Sequence, residues 1–172
     1  KTRRSNMLHR PIGIGVQGLS DTLALMDIPF HSDMAKEINK NIFETIYHAA
    51  LESSNEIAQS RVSNVDYVYF KLNHLDFNLK NVKPSNRYDW DTLKQNIIRY
   101  GLRNSLLVAP MPTASTSQIL GNNECFEPFT SNIYVRRTIA GEFVIVNKHL
   151  MNELINLDKW NQDVKNSIIA NG

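Results

Sequence analysis

The sequence predicts an α/β fold, and three patterns support this prediction. Apolar residues recur at helical spacing in several segments, which indicates amphipathic helices. A short apolar run at 106–109 has the continuous hydrophobicity of a strand covered on both faces in a parallel sheet. The segment from Ile133 to Val146 alternates apolar and polar residues, as extended segments with one buried face do. Helices interspersed with short strands are typical of α/β proteins.

Two helices are predicted in the first part of the chain. Apolar residues at positions 16, 19, 23 and 26 predict a helix over 15–27, which ends before Pro29. A second, long helix follows the cap signal Ser32-Asp33 and runs to about Ala58. Its predicted buried face consists of Ala35, Ile38, Ile42, Ile46 and Ala49, widened by Phe43 and Tyr47.

Local signals also place the later elements. Asp89 or Asp91 can cap a helix that ends at Gly101. The alternating segment is interrupted at Ala140-Gly141, which predicts two extended segments joined by a turn. Asn147 is the predicted cap of the next helix, and one more helix precedes the end of the chain.

The stretch 61–88 is rich in Asn and poorly periodic, and we expect a variable surface excursion there. Val65 to Tyr69 alternates briefly, as a strand does, and 84–86 has turn composition. The chain is therefore divided into a helical segment (1–60), this excursion, and a segment over 89–172 with strand, loop, hairpin-like and helical parts.

Composition narrows the function classes. The net charge of +2 argues against a nucleic-acid-binding protein, which usually carries a clustered basic face. No apolar run approaches the roughly 20 residues of a membrane span, and no charged start followed by an apolar stretch marks a secretory signal in the given sequence. The single cysteine, Cys125, rules out an internal disulfide and a cysteine-based zinc cage, and is compatible with a reducing, cytoplasmic setting. The five histidines lack i, i+4 spacing, so no metal site is expected.

A hydroxyl-rich loop follows the apolar run at 106–109. Pro110 and Pro112 bracket Met111, and the small residues 113–117 lead into helix-compatible sequence. A strand, a tight loop and a helix start in this order direct backbone N–H groups and hydroxyls to one point, which suits a phosphate. The alternative is a cluster of helix-capping residues made rigid by the prolines.

A family resemblance extends from this loop. The block PMPTASTSQILGNNECFEPFTSN (110–132) resembles the large, catalytic subunit of class I ribonucleotide reductase of the eukaryotic and large-DNA-virus type. The blocks at 10–21, 43–52 and 141–150 are similar to the same family, whereas 62–87 shows no firm match. The resemblance implies that the chain is an internal piece of a longer protein and forms part of a ten-stranded α/β barrel.

The resemblance also implies a role for the loop and for the whole enzyme. In that family the loop holds the diphosphate of the ribonucleoside diphosphate substrate, and the matching residues are Thr113, Ala114, Ser115, Thr116 and Ser117. The parent enzyme would be a cytoplasmic oxidoreductase that makes 2′-deoxyribonucleoside diphosphates for DNA synthesis by thiyl-radical chemistry. The radical cysteine, the redox cysteines and the relay tyrosines are expected outside this segment, so it would be inactive alone.

The implied partners lie outside the segment as well. They are a small subunit with a di-iron tyrosyl-radical centre, a thioredoxin- or glutaredoxin-type reductant, ATP and dATP as allosteric effectors, and a second large subunit. No cofactor, metal, nucleic acid or membrane contact is expected in the segment itself. The rival interpretation is a non-catalytic α/β interaction module with a capped loop and no nucleotide site.

Two motifs suggest other chemistry and are interpreted structurally. Gly13, Gly15 and Gly18 match the G-x-G-x-x-G pattern of dinucleotide folds, but residues 8–12 do not resemble a buried strand. We expect these glycines to let a helix start pack against neighbouring backbone. Cys125 has the Asn-x-Cys-x-Glu spacing of the family's radical cysteine, yet its flanking block matches a later part of the family, which favours a structural residue.

The remaining charged and aromatic residues give weaker signals. Glu124 and Glu127 could form a carboxylate pair for acid–base work, but Pro128 argues against a shared helix face, so structural roles are favoured. Arg136 and Arg137 lie in an alternating segment, where we expect one to pair with a carboxylate or both to be solvated. Four tyrosines are interpreted as core or surface residues: Tyr47, Tyr88, Tyr100 and Tyr134.

Overall fold

The computed structural model describes residues 1–60 and 83–171. The chain divides into two compact units, one formed by Lys1–Gly15 and Lys36–Met111 and the other by Val16–Ala35 and Pro112–Gly172. The described elements are α1 Thr2–His9, α2 Leu19–Leu25, α3 Asp33–Ser60, α4 Trp90–Tyr100, α5 Ala114–Leu120, β1 Ile133–Thr138, β2 Gly141–Val146, α6 Lys148–Asn156 and α7 Gln162–Asn171. The brief alternation predicted at Val65 to Tyr69 lies outside the described residues.

The core of the first unit lies between α3 and α4. The Asp89 side chain caps α4 by accepting the Thr92 N–H at 3.0 Å, and Gly101 follows the last turn with φ 79°, as the sequence predicts. The apolar side of α4 faces α3 and the segment after Gly101. Its buried cluster consists of Ala50, Leu51, Trp90, Leu93, Ile97, Leu102 and Leu107.

The buried face of α3 differs from the prediction in its second half. Ala49 is exposed, whereas Ala50 and Leu51 are buried. The buried face differs from the predicted apolar face because polar residues of α3 are buried as well. Ser54 Oγ accepts the N–H groups of Arg103 and Asn104, both at 3.0 Å, so α3 fixes the backbone that follows α4.

The apolar run at 106–109 pairs with a segment that the sequence did not predict as extended. Ile14 and Val108 form a parallel bridge, in which the Ile14 N–H donates to Leu107 O at 2.9 Å. Leu106 is 64% exposed and Leu107 is buried, so the described residues cover only one face of this run. The pairing is a single bridge because only a short stretch of each segment runs alongside the other.

Glycines permit this close pairing. A Cβ atom on Gly13 would lie 3.3 Å from the Ala109 Cβ, and one on Gly15 would lie 3.0 Å from the Pro110 Cα. Two glycines of the G-x-G-x-x-G pattern thus pack against an extended segment and not, as expected, at a helix start. The third glycine, Gly18, does precede α2, with φ 75°.

The second unit contains α2, the hairpin and the last helices. Helix α2 begins at Leu19 and not at 15, because Gly18 in the left-handed region interrupts a helical path. Strands β1 and β2 pair antiparallel from Ile133↔Val146 to Thr138↔Gly141, which confirms the predicted turn. The caps predicted from sequence are also present: Ser32 Oγ accepts the Ala35 N–H at 3.1 Å, and Asn147 Oδ1 accepts the His149 N–H at 3.1 Å.

Two neighbouring isoleucines of α4 provide a matched test of the first core. Ile97 is fully buried and Ile98 is 58% exposed. Ile97→Ala should lower the free energy of unfolding by about 2–5 kcal/mol, since it leaves a cavity, whereas Ile98→Ala should change it by less than about 0.5 kcal/mol. Urea unfolding of the 172-residue chain measures both values, and equal effects would contradict the assigned core.

Candidate functional site

The hydroxyl-rich loop begins with Thr113 in an unusual backbone conformation. Thr113 has φ 56° and ψ 25°, a left-handed geometry that β-branched residues rarely adopt. Its side chain does not cap α5. Instead, Thr113 Oγ1 accepts the Cys125 N–H at 2.9 Å and hydrogen-bonds Ser117 Oγ at 2.9 Å. These two bonds hold Thr113 in its strained conformation.

The first N–H groups of α5 remain available because Thr113 does not cap the helix. The N–H groups of Ala114, Ser115 and Thr116 find no acceptor among the described residues, and all three residues are exposed. The Ser117 N–H is the first that is used, donating to Thr113 O at 2.9 Å. Free N–H groups at the start of a helix attract anions through their partial positive charge.

The hydroxyls of the loop face in different directions. Ser115 is exposed, whereas Ser117 is fully buried with its hydroxyl on Thr113. Thr116 Oγ1 lies 2.8 Å from Gln17 Oε1 and 3.2 Å from Thr113 O, and it donates toward both. The structure therefore brings residues 114–116 of the predicted set to the surface and turns Thr113 and Ser117 inward.

The segment after α5, residues 121–127, is held by the first turn of α2. We call this segment the support loop. The Gly18 N–H donates to Asn123 O at 3.0 Å, the Leu19 N–H to Cys125 O at 3.4 Å, and Ser20 Oγ to Glu127 O. Every second residue of the support loop, from Asn123 to Glu127, thus bonds to the next residue along 18–20 at the start of α2.

Asp21 adds a buried carboxylate to this contact. Its side chain is 10% exposed; Oδ2 accepts the Asn123 N–H at 2.6 Å, and Oδ1 lies 2.7 Å from His149 Nε2 and 3.6 Å from Lys148 Nζ. Burial pushes the pKa of Asp21 upward, but the Asn123 hydrogen bond, followed by His149 and Lys148, holds the pKa below its ordinary value. Asp21 is therefore ionised at neutral pH.

A cavity of about 290 Å³ lies beside the second half of α5. Ser117 and Gln118 line it, but the exposed residues 114–116 do not. The free N–H groups thus face the surface outside this cavity. The remaining lining residues come from α2, the support loop and the hairpin region: Asp21, Gly121, Asn122, Asn123, Phe129, Ser131, Tyr134, Arg136, Thr138, Phe143, Ile145, Val146, Asn147 and Lys148.

Comparison with known proteins identifies the family. A family model described as the barrel domain of ribonucleotide reductase matches residues 1–172, the whole chain. The chain belongs to this family.

Relatives of the ribonucleotide reductase family support the assignment. The ribonucleoside-diphosphate reductase large chain of Schizosaccharomyces pombe is 54% identical over 98% of this chain. The large subunit of Vaccinia virus is 55% identical over 98% of this chain. The chain spans only 21% and 22% of the lengths of these two relatives.

A solved structure supports the fold. The Actinobacillus ureae class Id ribonucleotide reductase alpha subunit is similar over 98% of this chain and 25% of its own, with a TM-score of 0.62 at 26% identity. The fold of the chain is thus the barrel-type α/β fold of ribonucleotide reductase. No helix within the described ranges is both long and apolar enough to cross a membrane.

In this ribonucleotide reductase segment, Cys125 acts through its main chain. Its side chain is 4% exposed, its N–H holds Thr113, and its carbonyl holds Leu19. It has φ 46°, so the support loop turns sharply at this point. These contacts give Cys125 a structural role in the support loop.

The charged residues of the hairpin form ion pairs. Arg136 Nη2 lies 3.0 Å from Glu124 Oε1, which links β1 to the support loop, and Arg137 pairs with Glu142 at 2.7 Å within the hairpin. Glu124 therefore has the structural role that we expected. Among residues 1–60 and 83–171, no group of three or more His, Cys, Asp or Glu side chains is arranged to hold a metal ion.

Three residues that contact the loop or its supporting segment carry no local sequence signal for that role: Gln17, Asp21 and His149. Asp21 and His149 are 128 residues apart, and Gln17 and Thr116 are 99 residues apart. Local spacing carries no information about such contacts. An Asp in the first turn of a helix is ordinarily interpreted as a surface residue that complements the helix dipole.

The lowered pKa of Asp21 predicts how acid affects the second unit. A carboxylate whose pKa falls on folding stabilises the folded state above its unfolded pKa of about 3.9, and this stabilisation is lost as the pH falls through the folded pKa. Asp21→Asn should therefore lower stability at pH 7 and should weaken the loss of stability as the pH falls from about 5 through the folded pKa. Urea unfolding across this range tests it; parallel pH profiles for the two proteins would contradict the assignment.

Proposed function

We propose that this chain is the phosphate-loop segment of a ribonucleotide reductase large subunit, which reduces ribonucleoside diphosphates to 2′-deoxyribonucleoside diphosphates. The main support is the match of the barrel-domain family over the whole chain. Relatives named ribonucleoside-diphosphate reductase large chain or large subunit share more than half of their aligned residues with it. Within the chain, the free N–H groups of Ala114, Ser115 and Thr116 support a phosphate-binding role.

The loop would bind the substrate diphosphate through the main chain. Phosphate oxygens would accept from these N–H groups, and the small side chains of Ala114 and Ser115 would let them approach closely. The dipole of α5 adds a partial positive charge at the same end. Thr113 and Ser117 would contribute by fixing the backbone, because their hydroxyls are bonded to each other. The loop would position the substrate and would not take part in bond cleavage.

The reductive chemistry would come from outside this segment. We infer that the radical cysteine, the redox cysteines and the relay tyrosines lie elsewhere in the large subunit, because the block around Cys125 resembles a part of the family that follows the phosphate loop. A small subunit with a di-iron tyrosyl-radical centre would supply the radical, and a thioredoxin- or glutaredoxin-type protein would restore the thiols. ATP and dATP would act at allosteric sites on other parts of a self-associating, cytoplasmic large subunit with a ten-stranded barrel.

The rival function, a non-catalytic interaction module, rests on a loop that merely caps a helix. A capping residue accepts the N–H of the second or third helical residue through its side chain. Thr113 makes no such bond, and its hydroxyl is used by Cys125 and Ser117 instead. The geometry of the loop therefore favours anion binding over simple capping.

A negative charge at Ser115 tests the substrate role. In a full-length large subunit carrying this segment, Ser115→Asp should raise the KM for ADP about tenfold or more, because the carboxylate repels the diphosphate. An Asp in the first turn stabilises a helix, so the fold should be retained. Ser53→Asp, an equal change at an exposed site of α3, is the control. An unchanged KM for Ser115→Asp would contradict the proposed site.

Pyrophosphate provides a direct test on the chain itself. Titration should shift the backbone amide resonances of Ala114, Ser115 and Thr116, because these N–H groups are free. The Ser117 amide is an internal control, since its N–H already donates to Thr113 O. Heteronuclear NMR measures each amide separately. Shifts that are equal throughout α5, or confined to other residues, would argue against the proposed contacts.

A further inference from the structure

Hydrogen bonds and a short stretch of backbone connect His149 on α6 to the hydroxyl-rich loop (113–117), which is the proposed phosphate loop. His149 Nε2 lies 2.7 Å from one oxygen of Asp21, and the other oxygen accepts the Asn123 N–H at 2.6 Å. Cys125 follows Asn123 by two positions in the support loop, and its N–H donates to Thr113 Oγ1 at 2.9 Å. All of these residues belong to the same compact unit.

Each oxygen of the Asp21 carboxylate has a separate task. Oδ2 fixes the backbone of the support loop, whereas Oδ1 is held by His149 and, at 3.6 Å, by Lys148. A buried carboxylate needs such partners, since an unpaired one is strongly destabilised. The two α6 residues therefore fix where Asp21 lies, and Asp21 fixes where Asn123 lies.

The support loop in turn determines how α5 begins. Thr113 keeps φ 56° because Cys125 and Ser117 hold its hydroxyl. The direction of the Ala114, Ser115 and Thr116 N–H groups follows from that conformation. A shift of the support loop by a few tenths of an ångström would loosen the Cys125 bond and would change the direction of these N–H groups.

We propose that Asp21 and His149 are positioning residues for the phosphate loop: the bond between them holds the support loop and thereby aligns the N–H groups that receive the substrate diphosphate. This inference rests on the proposed function and assigns it two further residues. Neither side chain touches the diphosphate. Their contribution is the preorganisation of backbone donors, which determines substrate affinity more than the rate of the chemical step.

His149 allows a matched pair of variants. His149→Phe retains an aromatic ring against Phe129, whose ring centroid lies 5.9 Å away, but removes the hydrogen bond to Asp21. His149→Gln retains a donor that can reach Asp21. In a full-length large subunit carrying this segment, His149→Phe should raise the KM for ADP about tenfold with kcat changed less than about twofold, and His149→Gln should restore most of the affinity.

Two controls separate this role from general stability. Arg137→Gln removes an exposed ion pair with Glu142 in the same unit and should leave the KM unchanged. Should His149→Phe fail to fold, Asp21→Asn takes its place. Asn is close to Asp in shape and can still accept the Asn123 N–H. The KM of the Asp21→Asn enzyme should rise several-fold. A KM within about twofold of the unmodified enzyme for the folded variant would overturn the proposal, as would a lower kcat with an unchanged KM.

Ser115→Asp in the same enzyme distinguishes a failure of the positioning role from a failure of the substrate site. If Ser115→Asp raises the KM and His149→Phe does not, the diphosphate loop stands and the positioning role is wrong. If neither variant changes the KM, the proposed substrate site fails and the positioning role fails with it. If both raise the KM and His149→Gln restores it, both are supported.

Discussion

The hydrogen bond from the Cys125 N–H to Thr113 Oγ1 is the constraint on which the loop depends. A threonine at the start of a helix ordinarily uses its hydroxyl to cap the free N–H groups behind it. Here the hydroxyl is occupied by Cys125 and Ser117, so the helix begins uncapped. The strained backbone of Thr113 costs about 1–3 kcal/mol, and the buried bonds of the support loop offset that cost. The same bond thus stabilises the loop and leaves the first N–H groups of α5 without a side-chain cap.

The first unit illustrates a different constraint, the close approach of two backbones. Residues 12–14 run alongside 106–109 at a distance that leaves little room for a side chain at positions 13 and 15. A dinucleotide fold uses its glycines at a turn that faces a pyrophosphate, whereas two of these glycines face Ala109 and Pro110. The same sequence pattern therefore serves to join two extended segments.

Local signals predicted much of the fold, and non-local contacts account for what was missed. The caps at Ser32, Asp89 and Asn147 depend on residues three or fewer positions away, and a single sequence shows them directly. The hairpin is similarly local, with its turn marked by Ala140-Gly141. The buried face in the second half of α3 differs from the predicted face. Ser54 and Asn55 are buried there because they bond backbone more than 40 residues further along the chain.

The loop was identified from its residue types and from its resemblance to a family. The separate roles of its residues could not be predicted from the sequence. The sequence singled out the five residues 113–117 as one set. The structure divides them into three exposed residues with free N–H groups, 114–116, and two residues whose hydroxyls bond each other, the half-buried Thr113 and the buried Ser117. Asp21 and His149 carried no local signal, because the hydrogen bond between them joins positions 128 residues apart.

The contact between Thr116 and Gln17 has a consequence for how an anion would arrive. A hydroxyl carries a single proton, and that of Thr116 is already directed at Gln17 Oε1 and Thr113 O. A phosphate oxygen that took this proton would exchange one bond for another, with little net gain in affinity. Affinity would therefore come from the main chain, whose donors have no competing partner among the described residues, and the hydroxyl would serve to exclude water and to limit the width of the loop.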